Sequence, residues 1–182
     1  MDGNSVEKVR SYANIAIIKY WGKKDTKKMI PATSSISVTL ENMYTETEIC
    51  FVKEEESRDI IGEPEDLFFL NGELQNSEQR EKISKVVDMF REDRSRIVRI
   101  DTRNNMPTEA GLSSSSSGLS AVIKACNRLF KKNLTRSELA QISKFASGSS
   151  SRSFFGPVSA WDKDTGEIYE IKTGLKFGMI ML

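Results

Sequence analysis

Histidine is absent from the 182 residues of the chain. A Ser-His-Asp triad, a Cys-His pair and a histidine-containing metal site are therefore excluded within this sequence. Acid–base chemistry here has to use Asp, Glu, Lys or Tyr side chains.

Cysteine is scarce and long apolar runs are missing. Cys50 and Cys126 lie far apart in the sequence, so we expect both to be reduced and structural, as in a cytoplasmic protein. No apolar run is long enough to span a bilayer, and residues 1–5 have neither the basic start nor the apolar core of a signal peptide. The net charge of +1 gives no reason to expect nucleic acid or a membrane as a partner.

A serine-rich segment at residues 107–118 is the most distinctive feature present. Five consecutive serines follow Gly111 and lead into apolar residues at helical spacing, beginning with Leu119 and Val122. The N-terminus of a helix offers unpaired N–H groups and a positive dipole end, and small residues let an anion approach them. The segment predicts a phosphate-binding loop. A disordered serine linker or a simple helix cap are the alternatives, and the Walker A pattern is not matched.

Two further segments combine small, aromatic and basic residues. Asn14, Lys19, Tyr20, Trp21 and Lys23 follow one another closely, which indicates a pocket with rings and ammonium groups for an anion, or alternatively a solvated basic turn. In residues 146–153 a single arginine stands among serines. That segment is either a flexible loop at a helix end or an anion clamp, because a guanidinium binds carboxylate or phosphate with two hydrogen bonds.

Periodicity and turn residues predict alternating strands and helices. Residues 42–45 are predicted to form a hairpin turn between two strands, and residues 53–66 a charged surface loop. A capping box at Thr135 and Glu138 opens a helix. The remaining predicted strands cover residues 6–21, 36–41, 45–52, 67–70, 96–101, 158–161, 167–171 and 177–182, and the other helices residues 77–91 and the stretch after the serines.

Three segments together resemble the mevalonate diphosphate decarboxylase family, and more closely its streptococcal members. They are ANIAIIKYWGKKD (residues 13–25), PTEAGLSSSSSG (residues 107–118) and ASGSSSRSFFG (residues 146–156). The middle segment is typical of the whole GHMP kinase superfamily. The resemblance implies an α+β fold of the GHMP kinase type. Residues 1–182 would form its N-terminal domain, similar to domain 2 of ribosomal protein S5, with the ferredoxin-like C-terminal domain largely absent from this chain.

The resemblance also implies an ATP-dependent lyase of isoprenoid and lipid metabolism. ATP phosphorylates the 3-hydroxyl of mevalonate 5-diphosphate, and loss of phosphate and CO2 then gives isopentenyl diphosphate. The implied ligands are ATP, Mg²⁺ carried by the nucleotide, and mevalonate 5-diphosphate as the small-molecule substrate. We expect a cytoplasmic protein that forms a homodimer when complete.

Site residues are carried over from the matching motifs. Lys19 is expected near the reacting hydroxyl or phosphates, and Arg152 on the substrate carboxylate, which makes these two the predicted catalytic residues. The diphosphate end of the substrate is assigned to Tyr20, Lys23, Ser147 and Ser149. ATP is assigned to Thr102, Arg103, Gly111, Leu112, Ser113, Ser114, Ser115, Ser116 and Ser117.

The chain also departs from the family pattern. Tyr12 stands where family members often have histidine, and no segment resembles the MDAGPN motif with the catalytic aspartate. Asp25, Asp101 and Asp162 do not sit in such a motif. We therefore expect the chain alone to be inactive as a decarboxylase. Another small-molecule kinase of the GHMP group and a non-catalytic nucleotide-binding fragment are the alternative functions.

Overall fold

The computed structural model describes residues 5–106 and 114–175, apart from the side chain of Ser114. Its strands are Glu7–Ile18 (β1), Lys23–Asp25 (β2), Ile30–Pro31 (β3), Ser35–Phe51 (β4), Leu67–Leu70 (β5), Glu73–Leu74 (β6), Val98–Asn104 (β7), Val158–Trp161 (β8) and Ile168–Glu170 (β9). Its helices are Glu54–Ile61 (α1), Ser77–Val87 (α2), Ser114–Leu129 (α3) and Arg136–Ala146 (α4), with a 3-10 helix at Ser150–Phe154. The predicted α+β class is confirmed.

The long strand β4 is the centre of the sheet. Strand β1 pairs antiparallel with it along one edge, from Glu7 opposite Ile49 to Ile18 opposite Ile36. On the other edge, β7 pairs with the second half of β4 and β8 with its first half, both antiparallel. Apart from β1, the strands of this sheet follow the order β6-β5-β7-β4-β8-β9, with β5 and β7 parallel. Distant parts of the chain therefore meet on one strand.

Helix α3 lies across β1 and β4 and forms the middle of the apolar core. Its residues Val122, Ile123 and Cys126 are buried, which matches the helical spacing of the sequence. Helices α2 and α4 pack against α3, and α4 leads directly into the 3-10 helix. Cys50 and Cys126 are both free thiols, as predicted.

The predicted hairpin turn at residues 42–45 is wrong, because β4 runs without interruption for 17 residues. Tyr12 pairs with Tyr44 while Ala13 pairs with Leu40, so the residues between them form a bulge in β4. Asn105 holds this bulge extended: its side chain accepts a hydrogen bond from Tyr44 N at 2.7 Å, and its own N–H donates to Tyr44 O at 3.1 Å. Polar residues that resemble a turn thus form a bend in a strand.

The predicted loop at residues 53–66 contains helix α1, which is a second correction. Three glutamates occupy the first turn, where the helix dipole favours acidic side chains, and Glu54 pairs with Arg58 one turn later at 3.7 Å. Gly62 ends the helix in the left-handed conformation, with φ of 82°. The predicted strand at residues 177–182 lies outside the described residues. In the part of the chain that is described, no helix is long and apolar enough to cross a membrane.

Candidate functional site

Arg152 is the centre of a polar cluster beneath the first half of β4. Its Nε donates to Ser37 Oγ at 2.6 Å, and its Nη1 donates to Ser35 Oγ at 3.1 Å and to the Gly148 carbonyl at 3.3 Å. The two serines lie two residues apart on β4 and so point to the same side of the sheet. The 3-10 helix supplies the arginine, and β4 holds its orientation.

The guanidinium of Arg152 is buried without an acidic partner among the residues that the structure describes. The residue is 2% exposed, and no carboxylate of the described residues forms an ion pair with it. Burial lowers the pKa of Arg152 to about 10, against a smaller opposing contribution from the nearby Tyr20. A buried cation held only by neutral groups has unmet capacity for an anion.

Tyr20 packs beside this arginine. Its ring centroid lies 5.8 Å from Arg152 Cζ and 4.9 Å from the ring of the fully buried Trp161. Gly148 permits the arrangement, because a Cβ at this position would lie 2.8 Å from Tyr20 Oη and 2.7 Å from Trp161 Cζ3. The backbone of the serine segment therefore approaches both rings closely.

Asn14 joins the aromatic-lysine segment to the serine segment. Its Nδ2 donates to Ser153 Oγ at 2.7 Å and to the Ser149 carbonyl at 3.0 Å. The hydroxyls of Ser147 and Ser149 are 3.1 Å apart and only partly buried. Of the predicted substrate residues, the structure thus brings Tyr20, Ser147, Ser149 and Arg152 together.

The two predicted lysines lie at the surface beside this cluster. Lys19 follows the end of β1 and Lys23 begins β2, and both side chains are exposed. Trp21, between them, is 76% exposed. Chain connectivity keeps both lysines near Tyr20, but no described hydrogen bond or ion pair ties either of them to Arg152.

A cavity of about 760 Å³ opens at the N-terminus of α3. Its walls are mainly apolar, with Phe68 and Leu70 from β5, Ile83 from α2 and Leu119 from α3. Ser147 also lines this cavity. Because Ser147 lies one residue from Gly148, the cavity and the Arg152 cluster are neighbours.

The predicted ATP residues take different positions around this cavity. Ser114 to Ser117 form the first turn of α3 instead of a loop. Ser115 lines the cavity, whereas Ser116 and Ser117 are buried, and Ser117 Oγ lies 2.7 Å from Thr45 Oγ1. Gly111, Leu112 and Ser113 lie outside the described residues, as does the side chain of Ser114.

Thr102 and Arg103 have opposite orientations on β7. Thr102 is buried on the helix side, 3.0 Å from Thr47 Oγ1, and its residue lines the cavity. Arg103 is exposed, lies opposite Glu46 in the sheet, and is not among the residues that line the cavity. The two neighbours are therefore not placed to contact one ligand through their side chains.

The acidic residues considered in the sequence are engaged in local contacts. Asp25 accepts from the N–H groups of Lys27 and Lys28, Asp101 pairs with Arg99, and Asp162 accepts from the turn that follows it. Among the described residues, no group of three His, Cys, Asp or Glu side chains is placed to hold a metal ion. The described donors that line the cavity include hydroxyls, amides and the ammonium groups of Lys82 and Lys85.

Several members of this site were not assigned from the sequence. Ser35, Ser37 and Gly148 hold Arg152, and Trp161 supports Tyr20. One signal for the serines is present: Ser35, Ser37 and Thr39 recur at every second position, in and just before the predicted strand 36–41. Ser35 and Ser37 are both fully buried.

A family model describes most of this chain. The model of the diphosphomevalonate decarboxylase-like N-terminal domain matches residues 11–170. Diphosphomevalonate decarboxylase of Saccharomyces cerevisiae is 34% identical over 174 residues, which is 87% of this chain and 42% of the yeast protein.

Solved structures agree with the sequence match. Mevalonate pyrophosphate decarboxylase from Streptococcus pyogenes is 58% identical with a TM-score of 0.83, and the alignment covers 95% of this chain and 52% of that one. MDDEF in complex with MVAPP, AMPPCP and magnesium is 36% identical with a TM-score of 0.78, covering 93% and 51%. The chain thus spans about half the length of these relatives.

Proposed function

Because the chain belongs to the diphosphomevalonate decarboxylase-like N-terminal domain family, we propose that it is the ATP- and substrate-phosphate-binding domain of a diphosphomevalonate decarboxylase. The reaction would be the ATP-dependent conversion of mevalonate 5-diphosphate to isopentenyl diphosphate, ADP, phosphate and CO2. The predicted cytoplasmic location and homodimer stay predictions.

The buried guanidinium of Arg152 is the observation that carries this proposal. Mevalonate 5-diphosphate has a carboxylate at the end opposite its diphosphate, and a carboxylate matches the planar donors of arginine. Ser35, Ser37 and the Gly148 carbonyl fix the direction of those donors. Binding the carboxylate there would neutralise a charge that no described residue compensates.

The diphosphate end of the substrate would lie on the side of Tyr20 and the serine segment. Ser147 and Ser149 offer partly buried hydroxyls, and Lys23 and Lys19 are exposed ammonium groups close by in the chain. A substrate held at both ends presents its 3-hydroxyl in a fixed direction. Such orientation lowers the barrier to transfer because the reacting atoms are already close and aligned.

ATP would bind with its phosphates at the start of α3 and its nucleoside in the adjacent cavity. The cavity is within the volume range of small-molecule sites and combines apolar walls with a few polar groups. Ser115, which lines the cavity, and the first N–H groups of α3 would face the phosphates, as helix N-termini do in other nucleotide sites. Mg²⁺ bound to those phosphates would neutralise charge that develops during transfer.

The chain's own part in the chemistry is to position both substrates and stabilise charge. Phosphoryl transfer depends chiefly on these two contributions, which hydroxyls, cations and backbone N–H groups can make without histidine. Arg152 would hold the carboxylate until the 3-phosphate departs and the bond to CO2 breaks. The electron pair of the broken carbon–carbon bond would then form the double bond of isopentenyl diphosphate.

Binding of two related diphosphates tests the role of Arg152. By titration calorimetry, the chain should bind mevalonate 5-diphosphate more tightly than isopentenyl diphosphate, which has no carboxylate. Arg152→Met should weaken the first by about 10- to 150-fold, equivalent to the roughly 1.5–3 kcal/mol of a charge-assisted hydrogen bond, and abolish the preference. Arg58→Met, at an exposed arginine of α1, is the matched control.

Equal affinity of the wild-type chain for both diphosphates would contradict the carboxylate assignment. The reaction itself is tested in the protein that contains this chain, by following ADP and CO2 together. Release of ADP without CO2 would instead support a small-molecule kinase of the same superfamily.

A further inference from the structure

Lys124, on α3, is a partly buried lysine behind the Arg152 cluster. Its ammonium donates to Ser11 Oγ of β1 at 2.9 Å and reaches the Ser153 carbonyl of the 3-10 helix at 3.5 Å. The ring of Phe154 lies 5.3 Å from the same nitrogen. One side chain of α3 therefore contacts both the first strand and the segment that carries Arg152.

These contacts belong to a buried polar network that joins three elements. Ser11 Oγ lies 2.7 Å from Ser120 Oγ, one turn earlier on α3, and 3.5 Å from the Ser153 carbonyl. The side chain of Ser153 accepts from Asn14 at 2.7 Å. The network thus ends one residue from Arg152, while α3 begins at the proposed phosphate site.

The ammonium is held in this network at a cost in stability. Burial, with smaller contributions from Arg128 of α3 and Arg136 of α4, lowers the pKa of Lys124 to about 8. The groups that face it from β1 and the 3-10 helix are uncharged, and no carboxylate of the described residues forms an ion pair with it. An apolar side chain would avoid this cost, so the stability of the fold does not account for a lysine at position 124.

We propose that Lys124 is a positioning residue that fixes the 3-10 helix, and with it the Arg152 guanidinium, to the helix that begins at the phosphate site. The effect on substrate binding rests on the proposed function, whereas the tether itself does not. The bond from the ammonium to Ser11 Oγ, at 2.9 Å, is charge-assisted, and the longer contacts with the Ser153 carbonyl and the Phe154 ring extend it to the 3-10 helix.

Hydrogen exchange in the ligand-free chain tests the tether directly. The Phe155 N–H, which donates to the Arg152 carbonyl at 3.2 Å, reports on opening of the 3-10 helix. Lys124→Met should speed its exchange at pH 7 by roughly fivefold, as expected for loss of about one hydrogen bond. Lys124→Arg should retain protection, and Lys132→Met, at an exposed lysine after the same helix, should not change it. Circular dichroism verifies that each variant is folded.

Titration of mevalonate 5-diphosphate at pH 7 then tests the link to Arg152. Lys124→Met should bind this diphosphate more weakly than the wild type, whereas Lys124→Arg and Lys132→Met should bind it with wild-type affinity. Unchanged exchange at Phe155 in Lys124→Met would overturn the tether. A changed exchange with no binding of mevalonate 5-diphosphate by the wild type would leave the tether standing and reject the proposed function.

Discussion

Arg152 of the 3-10 helix and Lys124 of the neighbouring helix α3 are both largely removed from water. Neither cation has an acidic partner among the described residues. Both therefore oppose folding, since a charge moved out of water is costly unless an opposite charge compensates it. At the scale of single residues, the two buried cations lower the free energy of unfolding and place positive charge in the site. Stability and ligand binding should respond in opposite directions to neutral substitutions here.

Lys124→Met should change how stability depends on pH. The folded-state pKa of Lys124, about 8, is below the 10.5 of a free lysine, so the unfolded chain binds more protons between these values. The free energy of unfolding of the wild type should accordingly rise with pH in that window. The rise attributable to Lys124 should be on the order of 2 kcal/mol. Urea titrations of both proteins at pH 7 and 10 should show the variant lacking this increment; parallel pH profiles would contradict it.

Gly148→Ala should damage both packing and binding. The added Cβ would meet the edge of the buried Trp161 ring and the Tyr20 hydroxyl, so the serine segment or the rings have to shift. We expect destabilisation of about 1–3 kcal/mol, typical of overpacking, and weaker binding of mevalonate 5-diphosphate. Gly174→Ala is the control, since no atom lies within 4 Å of a Cβ there. Denaturant midpoints and calorimetry measure the two effects.

The sequence indicated the residue types of the site more clearly than their partners. Arg152 and Tyr20 follow from motifs, because a lone arginine among serines and an aromatic beside lysines are local patterns. Ser35 and Ser37 lie over a hundred residues away from Arg152 in the chain. Their contact depends on the pairing of β4 with β8, which brings Ser37 opposite Ser159, and no local pattern encodes that.

At the scale of elements, helix α4 matters because it ends at Ala146 and leads directly into the serine segment that begins at Ser147. Its start is defined by a capping box: Thr135 Oγ1 accepts from Glu138 N at 3.3 Å, and Glu138 Oε2 accepts from Thr135 N at 2.7 Å. Both bonds satisfy N–H groups that the helix itself leaves unpaired. This element was predicted correctly because its signal lies within four residues.

Thr135→Ala should therefore cost about 1 kcal/mol of unfolding free energy, the usual value for losing an N-cap. Thr135→Ser keeps the hydroxyl and should be nearly neutral. Chemical denaturation monitored by far-UV circular dichroism compares the three proteins. The cap would be irrelevant to stability if alanine and serine variants had the same midpoint as the wild type.

Strand β4 shows where local patterns fail. Residues 42–45 have no regular apolar alternation, so they resemble a turn. The bulge opposite Tyr12 is stabilised by Asn105, from a segment about sixty residues later. Helix α1 was missed for a related reason, since charged residues at i and i+4 resemble a surface loop until their pairing is known.

At the scale of the whole molecule, Asp66 joins three distant segments. Its carboxylate accepts from Arg91 Nη1 at 2.8 Å, from Ser84 Oγ at 2.7 Å and from Val98 N at 3.0 Å. The side chains of Asp66 and Arg91 are only 2% and 4% exposed. The loop before β5, helix α2 and the start of β7 are thereby fixed to one another.

Asp66→Asn should destabilise the protein by about 3–5 kcal/mol, because Arg91 would lose its buried counter-charge. Asp164→Asn, at an exposed aspartate that pairs with Lys163, should change stability little. Thermal and urea unfolding of the two variants provide the comparison. Similar small losses in both would mean that Asp88, the second partner of Arg91, compensates.

Strand β4 also sets the order in which the chain can assemble during synthesis. Its first half pairs with β8, and Val38 meets a partner that leaves the ribosome about 120 residues later. At bacterial or eukaryotic elongation rates this delay is roughly 6 to 24 seconds, during which the hairpin-like β1–β4 pair has an open edge. An unpaired strand edge can pair with strands of other chains. Until β8 has been synthesised, a chaperone that covers this edge would raise the yield of folded protein.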